Sequence, residues 1–165
     1  MGAEGKPYSG KNTESNLVTY IRWSGSNLIC VGSNSVFKLD KSGKDLWKYE
    51  YPGEMLVYNA HEDSVMAFAV NGNTTSASKR VLVYTINDDG KELGYSELEG
   101  DVRNIEIKNN KIVVVGANSV TTLHKDGTVK EKKALTRDVS RGVLFENGSE
   151  MFVVSGTSGE TISVG

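Results

Sequence analysis

The chain has 165 residues, enough for one domain with a sizeable core, and its 19 basic and 21 acidic residues give a formal net charge of −2. The two signs are interleaved, which leaves no electrostatic footprint for nucleic acid or an anionic membrane. The single cysteine, Cys30, excludes an intrachain disulfide, and no run approaches the ~18 apolar residues of a membrane-spanning helix. Glycine is plentiful at 18 residues, proline is scarce, and Val, Ile, Thr and Tyr crowd the apolar runs. Many short strands joined by glycine turns suit that mix.

Residues 1–15 are polar and glycine-rich and read as a loosely held arm. Their opening, Met1-Gly2-Ala3-Glu4-Gly5-Lys6, looks like a trimmed terminus or polar linker and lacks the apolar core of a signal peptide. Strand patterns then follow in units. The first unit has Val18 to Ser24, Leu28 to Val31, Val36 to Asp40 and Leu46 to Tyr51, punctuated by Gly25-Ser26-Asn27, Ser42-Gly43 and Pro52-Gly53. The second has Leu56 to Ala60, a turn at Glu62-Asp63, Val65 to Val70, a polar insertion from Asn71 to Lys79, Arg80 to Ile86, a turn at Asn87-Asp88-Asp89-Gly90, and Leu93 to Leu98. The third has Val102 to Lys108, a tight Asn109-Asn110 hairpin, Ile112 to Val115, Val120 to His124, a turn at Asp126-Gly127, and Val129 to Leu135. The fourth starts at Val139, has Gly142 to Phe145 and Met151 to Val154 around Asn147-Gly148, and stops after Thr161 to Val164.

A period of about 40 residues with four strands each is the pattern of β-propeller blades. The expectation is an all-β propeller of about four antiparallel blades, roughly 16–54, 55–101, 102–138 and 139–165, the last lacking its outer strand. The second strands (LICV, VMAFAV, IVVV, MFVV) are apolar on both sides, as strands between stacked sheets must be, while the fourth strands carry the charge. A sandwich of about fifteen strands shares the turn spacing but not the recurring order. An incomplete ring leaves two apolar sheet faces open. A four-bladed ring latched by residues 8–15, a two-chain ring, or docking onto blades outside this chain would cover them.

The stretch Phe37-Lys38-Leu39-Asp40-Lys41-Ser42-Gly43-Lys44-Asp45-Leu46-Trp47-Lys48-Tyr49 resembles the repeat of quinoprotein (PQQ-like) propellers, with its strand-ending Asp, Gly-Lys turn and tryptophan. In that family the tryptophan docks between neighbouring blades. The second unit keeps Tyr84, Gly90-Lys91 and Leu93, with Gly94 where Trp47 stands, and the third keeps Asp126-Gly127 and Val129. Units without the tryptophan are expected to form looser joints. Residues 16–165 also resemble the C-terminal half of an uncharacterised family of membrane-anchored PQQ-like propellers from clostridia and related bacteria. That resemblance implies an extracytoplasmic, cell-surface setting with an anchor absent from this chain, and the remaining blades of a longer chain as a partner.

A quinone-dependent enzyme of that type needs a vicinal cysteine pair, and one cysteine rules it out. His61 and His124 stand far apart, with no ligands at zinc spacing. Asp88-Asp89-Gly90 with Glu92 lacks the alternating oxygens of a calcium loop and reads as a hairpin turn. Glu97, Glu99 and Asp101 read as a solvated rim, Cys30 as a buried small hydrophobe, and Lys130, Lys132, Lys133 and Arg137 as a charged outer strand and its exit. Asn73-Thr74-Thr75 and Asn147-Gly148-Ser149 match the glycosylation pattern, which matters only in a eukaryotic secretory pathway. No catalytic, cofactor-binding or metal residues are assigned, and no cofactor. The expected function is a non-catalytic binding or scaffold module making protein–protein contacts, with self-association through open blade faces. The alternative is a sugar- or ion-binding or enzymatic propeller with a central funnel, marked by convergent Asp, Glu or aromatic side chains on the first strand of each blade.

Overall fold

A computed structural model describes residues 16–60, 65–72 and 79–165. The arm at 1–15, the turn at Glu62-Asp63, His61, Asn73-Thr74-Thr75 and most of the insertion lie outside the described residues. Fifteen strands form, and no helix occurs among the described residues. They are β1 (Val18–Ser24), β2 (Asn27–Gly32), β3 (Ser35–Leu39), β4 (Asp45–Glu50), β5 (Met55–Ala60), β6 (Val65–Asn71), β7 (Arg80–Asn87) and β8 (Glu92–Glu99), followed by β9 (Val102–Lys108), β10 (Lys111–Gly116), β11 (Ser119–Leu123), β12 (Val129–Ala134), β13 (Arg141–Leu144), β14 (Glu150–Ser155) and β15 (Ser158–Ser163). Each group of four consecutive strands is an antiparallel meander, and the last sheet has three. This is the architecture of propeller blades, the fourth incomplete.

The chain divides into two compact units, Met1–Glu54 and Met55–Gly165. The first holds the β1–β4 sheet. Buried Asn16 ties its entry down: the Asn16 side chain donates to Ser35 Oγ at 2.9 Å and accepts from the Asn34 backbone N–H at 3.0 Å. On one face Ile21 pairs with Cys30 and Trp23 with Leu28, and these continue to Phe37 and Leu39. Cys30, Phe37 and Leu39 form a small buried cluster there with Val18 and Leu28.

The second unit stacks three sheets. Its middle strand β10 is buried on both faces because its side chains alternate. Ile112 and Val114 join Val65, Ala67, Val81 and Val83 of the preceding sheet, while Val113 and Val115 join Leu144, Met151, Val153 and Ile162 of the following one. Truncating any one of these large aliphatics costs about 2–5 kcal/mol. Two inner-strand asparagines stitch the same joints. Asn59 donates to the Ile105 carbonyl at 2.6 Å, and Asn104 both donates to the Gly142 carbonyl at 2.8 Å and accepts from the Gly142 N–H at 3.0 Å. Strand β14 departs from the expected pattern. Only alternate residues are buried, because one face has no sheet against it among the described residues.

One turn recurs between third and fourth strands. Gly43, Gly90 and Gly127 adopt φ of 84°, 75° and 79°, left-handed values that glycine accepts without steric cost. Each donates its N–H to a carbonyl three residues back, that of Asp40, Asn87 or His124, at 3.0 Å. A short polar side chain organises each loop. Asp40 accepts from the Ser42 and Lys44 N–H groups, Asn87 from those of Asp89 and Lys91, and Asp126 from that of Thr128. Asn109 and Asn110, both at positive φ (49° and 63°), make the β9–β10 hairpin a type I′ turn.

The expectation of a looser joint at Gly94 is overturned. A β-carbon there would collide with the carbonyl oxygen of Asp126, in the turn of the next blade. One residue along the same face of β8, Ser96 donates its hydroxyl to the Gly127 carbonyl. The tryptophan position of the repeat is glycine in this blade because a neighbouring turn occupies its space. Gly94→Ala is therefore expected to cost about 2–3 kcal/mol and lower Tm by roughly 5–10 °C. Gly156→Ala, at a positive φ with open space around it, should cost only about 1 kcal/mol. Equal Tm values for the two variants would remove the interlock.

Hydrogen bonds hold the turn carboxylates below their ordinary range: Asp40 chiefly through the Ser42 hydroxyl and Lys44 N–H, and Asp126 through the Thr128 hydroxyl and N–H. A depressed folded-state pKa stabilises above the unfolded value, ~3.9 for Asp, and that stabilisation is lost as pH falls through the folded pKa. Thermal melts between pH 7 and 2 should show this acid loss. It should be smaller in Asp40→Asn/Asp126→Asn, since Asn87 fills the same role uncharged.

Candidate functional site

The turns at one end of the third blade enclose an open cleft of about 670 Å³. The I′ hairpin contributes Asn109 and Asn110, the start of β10 contributes Lys111, the β11–β12 turn contributes His124, Lys125 and Asp126, and β12 contributes Lys130. Its floor is Thr122 and Leu123, buried at the end of β11. The Lys111 ammonium donates to the Val164 carbonyl at 3.3 Å. Asp126, the one acid in the lining, is engaged by its own turn, its carboxylate accepting from the Thr128 hydroxyl at 2.6 Å and N–H at 3.0 Å. Lys125 and Lys130 make no ion pair among the described residues. Elsewhere Lys48 pairs with Glu50, Lys79 with Asp101, Arg80 with Glu97, Arg103 with Asp138, and Lys108 with Glu146. The cleft is thus a concentration of positive charge in a chain of net charge −2.

A second kind of surface lies on sheet faces. In the fourth sheet Val143 stands opposite Phe152, with Phe145 at the end of β13, and they are 51, 40 and 43 % exposed. The Phe152 ring lies where a β-carbon on Gly159 would be, so it covers the flat backbone of β15. In the first sheet Ile21 and Trp23 are 58 and 66 % exposed, on the same face as the Cys30 cluster. Single exposed hydrophobics are ordinary, but neighbours on one face form a patch.

The other residues weighed from sequence fall as follows. His124 is exposed at the cleft, and Lys130 lies beside it. Lys132 and Lys133 lie on the fully exposed β12, and Arg137 donates to the Ser158 hydroxyl at 3.1 Å. Glu97 and Asp101 are occupied by Arg80 and Lys79, while Asp88 and Asp89 fall in the β7–β8 turn. Cys30 is buried, and burial pushes its thiol pKa up. Buried Tyr51 donates to the Gly32 carbonyl, and burial pushes its phenol up to about 12. Trp47 is half-buried on β4, in register with Lys38. Asn147 and Ser149 shape the β13–β14 turn, where the Asn147 side-chain Oδ1 accepts from the Ser149 N–H at 3.0 Å. Among the described residues, no group of three or more His, Cys, Asp or Glu could hold a metal ion. The cleft was missed from sequence because its lysines are spread over twenty positions and converge only through strand pairing. The sequence signal for it is the Asn109-Asn110 hairpin followed at once by Lys111, with Lys125 in the Asp126-Gly127 turn and Lys130 just beyond it.

Comparison with solved structures places the fold. The BBS1N domain, solved in complex with ARL6DN, superposes with a TM-score of 0.64 at 12 % identity, covering 90 % of this chain and 52 % of that one. The Pan2 WD40 domain of Neurospora crassa gives 0.55 at 12 %, covering 82 % and 41 %. A protein of unknown function from Bacteroides caccae gives 0.53 at 17 %, covering 87 % and 54 %. At these identities the likeness establishes a propeller fold and nothing finer. The chain spans about half the length of the solved structures it matches. No curated protein matches it by sequence. Residues 9–164 match the model of a family described as "Family of unknown function (DUF5711)", and the chain belongs to that family.

Proposed function

We propose that this chain is a non-catalytic β-propeller binding or scaffold module that makes protein–protein contacts on the outer surface of a Gram-positive bacterium, held there by an anchor outside this chain. The observation that carries the reading is the exposed set Val143, Phe145 and Phe152 on a sheet whose other face is packed. Apolar side chains grouped this way mark a surface meant to be covered. One propeller that it resembles, BBS1N, was solved in a protein complex, which is in keeping with this use of the fold. The cell-surface setting rests on the resemblance of residues 16–165 to membrane-anchored PQQ-like propellers. Within that resemblance the Asp40-to-Trp47 stretch serves blade architecture, with no quinone.

The test is retention of labelled protein on intact Gram-positive cells. Binding should fall when surface proteins are first digested, and should fall about tenfold or more in Phe145→Ser/Phe152→Ser, as for loss of aromatic anchors. Undiminished retention of the folded double variant would count against the reading.

The basic cleft favours a second reading, a ligand-binding propeller, with the ligand an anion and the site at the turns of one blade instead of a funnel. On the first strands Asn59 and Asn104 are committed to bonds between sheets. Titration with tripolyphosphate should show binding that weakens with salt, and by about tenfold in Lys125→Gln/Lys130→Gln. Binding unaffected by salt or by the variant would dismiss the cleft.

A further inference from the structure

We infer that the anion taken by the cleft is a chain with several charged groups in series, an oligophosphate or a comparable run of sulfates, laid across the ends of β10, β11 and β12. This deepens the anion-binding reading and rests on it. Two observations carry it: the spacing of the cations, and the absence of the same charges at the matching positions of the other blades.

The spacing follows from the strand pairing. Lys108 faces Lys111 across the Asn109-Asn110 hairpin, so β10 starts at the cleft. Ile112 pairs with Leu123, and the antiparallel register then brings His124 level with Lys111 on the neighbouring strand. On the next strand the register shifts. Thr122 faces Glu131 and Leu123 faces Val129, which leaves Lys130 as the extra residue of a bulge. A bulge re-aims the side chain it carries, and this one lines the cleft. Lys111 and Lys130 therefore sit two strand spacings apart, about 10 Å between backbones, with His124 between them and Lys125 in the turn beyond. The Val164 carbonyl draws the Lys111 ammonium toward the fourth sheet and leaves two of its three protons for a ligand. Charges strung over such a row suit several anionic groups better than one. The volume of about 670 Å³ lies within the roughly 300–1,000 Å³ of clefts that hold multi-group ligands.

The same pairing recurs in the other complete blades without the charge. The bulge residue is Leu46 in the first sheet and Leu93 in the second, both exposed. Asp40 and Asn87 hold the place of His124 in their turns, and Asn27 holds that of Lys111 in the first sheet. Lys125 has a basic counterpart in Lys41, but the second sheet has Asp88 there. Blade architecture therefore does not call for a lysine at the bulge or beside the hairpin. The row of cations is particular to the third blade, and a ligand accounts for it.

Isothermal titration calorimetry at neutral pH and low salt compares orthophosphate, tripolyphosphate and a longer linear polyphosphate. Tripolyphosphate should bind at least about tenfold more tightly than orthophosphate, the factor that a second charge-assisted contact adds. Lys111→Gln and Lys130→Gln should each weaken tripolyphosphate by about fivefold or more, and Lys111→Arg should keep the wild-type affinity. Lys41→Gln, in the first-sheet turn, should change nothing. Circular dichroism melts confirm that each variant is folded. Orthophosphate binding as tightly as tripolyphosphate would overturn the chain and leave the anion site standing. A loss in only one of the two glutamine variants would do the same. Binding of none of the three phosphates would remove site and chain together. A sulfated oligosaccharide of equal charge separates the two sources: equal affinity means that the cleft reads the spacing of charge, weaker affinity that it reads the phosphate group. Tighter binding of a uridine oligonucleotide than of polyphosphate would overturn the inference in favour of RNA.

Discussion

A β-sheet that is apolar on both faces has to be covered twice. Strands β6 and β10 are buried along nearly their whole length, and the aliphatics of β10 divide between two clusters, one on each side. With no helix among the described residues to cover them, stacking of sheets satisfies such strands, and it propagates, since each added sheet brings a new face to be covered. Within the second unit the series ends at the fourth sheet, where β14 is buried at Met151 and Val153 and open at Phe152. Core and candidate interface are the same pattern, once satisfied and once not.

Stacking alone leaves sheets free to slide, and directional contacts remove that freedom. Asn104 uses both ends of its amide on the backbone N–H and carbonyl of one residue, Gly142, which sets the third sheet against the fourth to within a hydrogen bond. Gly94 and Ser96 receive the Asp126–Gly127 turn, setting the second against the third. The turn can act as a part of fixed shape because Asp126 organises it internally. Polar residues here contribute registry, and the aliphatics contribute most of the free energy.

Function divides along similar lines. The rims present turns, and the two turns at one end of the third blade bring Lys111, Lys125 and Lys130 together around the cleft. The sheet faces present flat apolar surface suited to another sheet. The two surfaces lie on different elements, the cleft on the turns of the third blade and the apolar patch on the fourth sheet.

The strand order, the four-unit repeat and the short last unit were legible in the sequence. Alternation, continuous apolar runs and glycine turns are local signals, and every one of the fifteen strands lies within a residue or a few of its sequence pattern. The exposure of β12 was equally plain from Val129-Lys130-Glu131-Lys132-Lys133. Three features were decided only by tertiary structure. Gly94 reads alone as a lost tryptophan, and its role appears when the Asp126 carbonyl arrives from thirty residues away. Phe152 reads like any residue of a two-faced strand, and its exposure depends on which sheets are present to cover it. Lys111, Lys125 and Lys130 read as scattered surface charge until the β9–β12 pairing gathers them. Local patterns determine which face of a strand is apolar, but what meets that face depends on contacts between distant parts of the chain, or between chains.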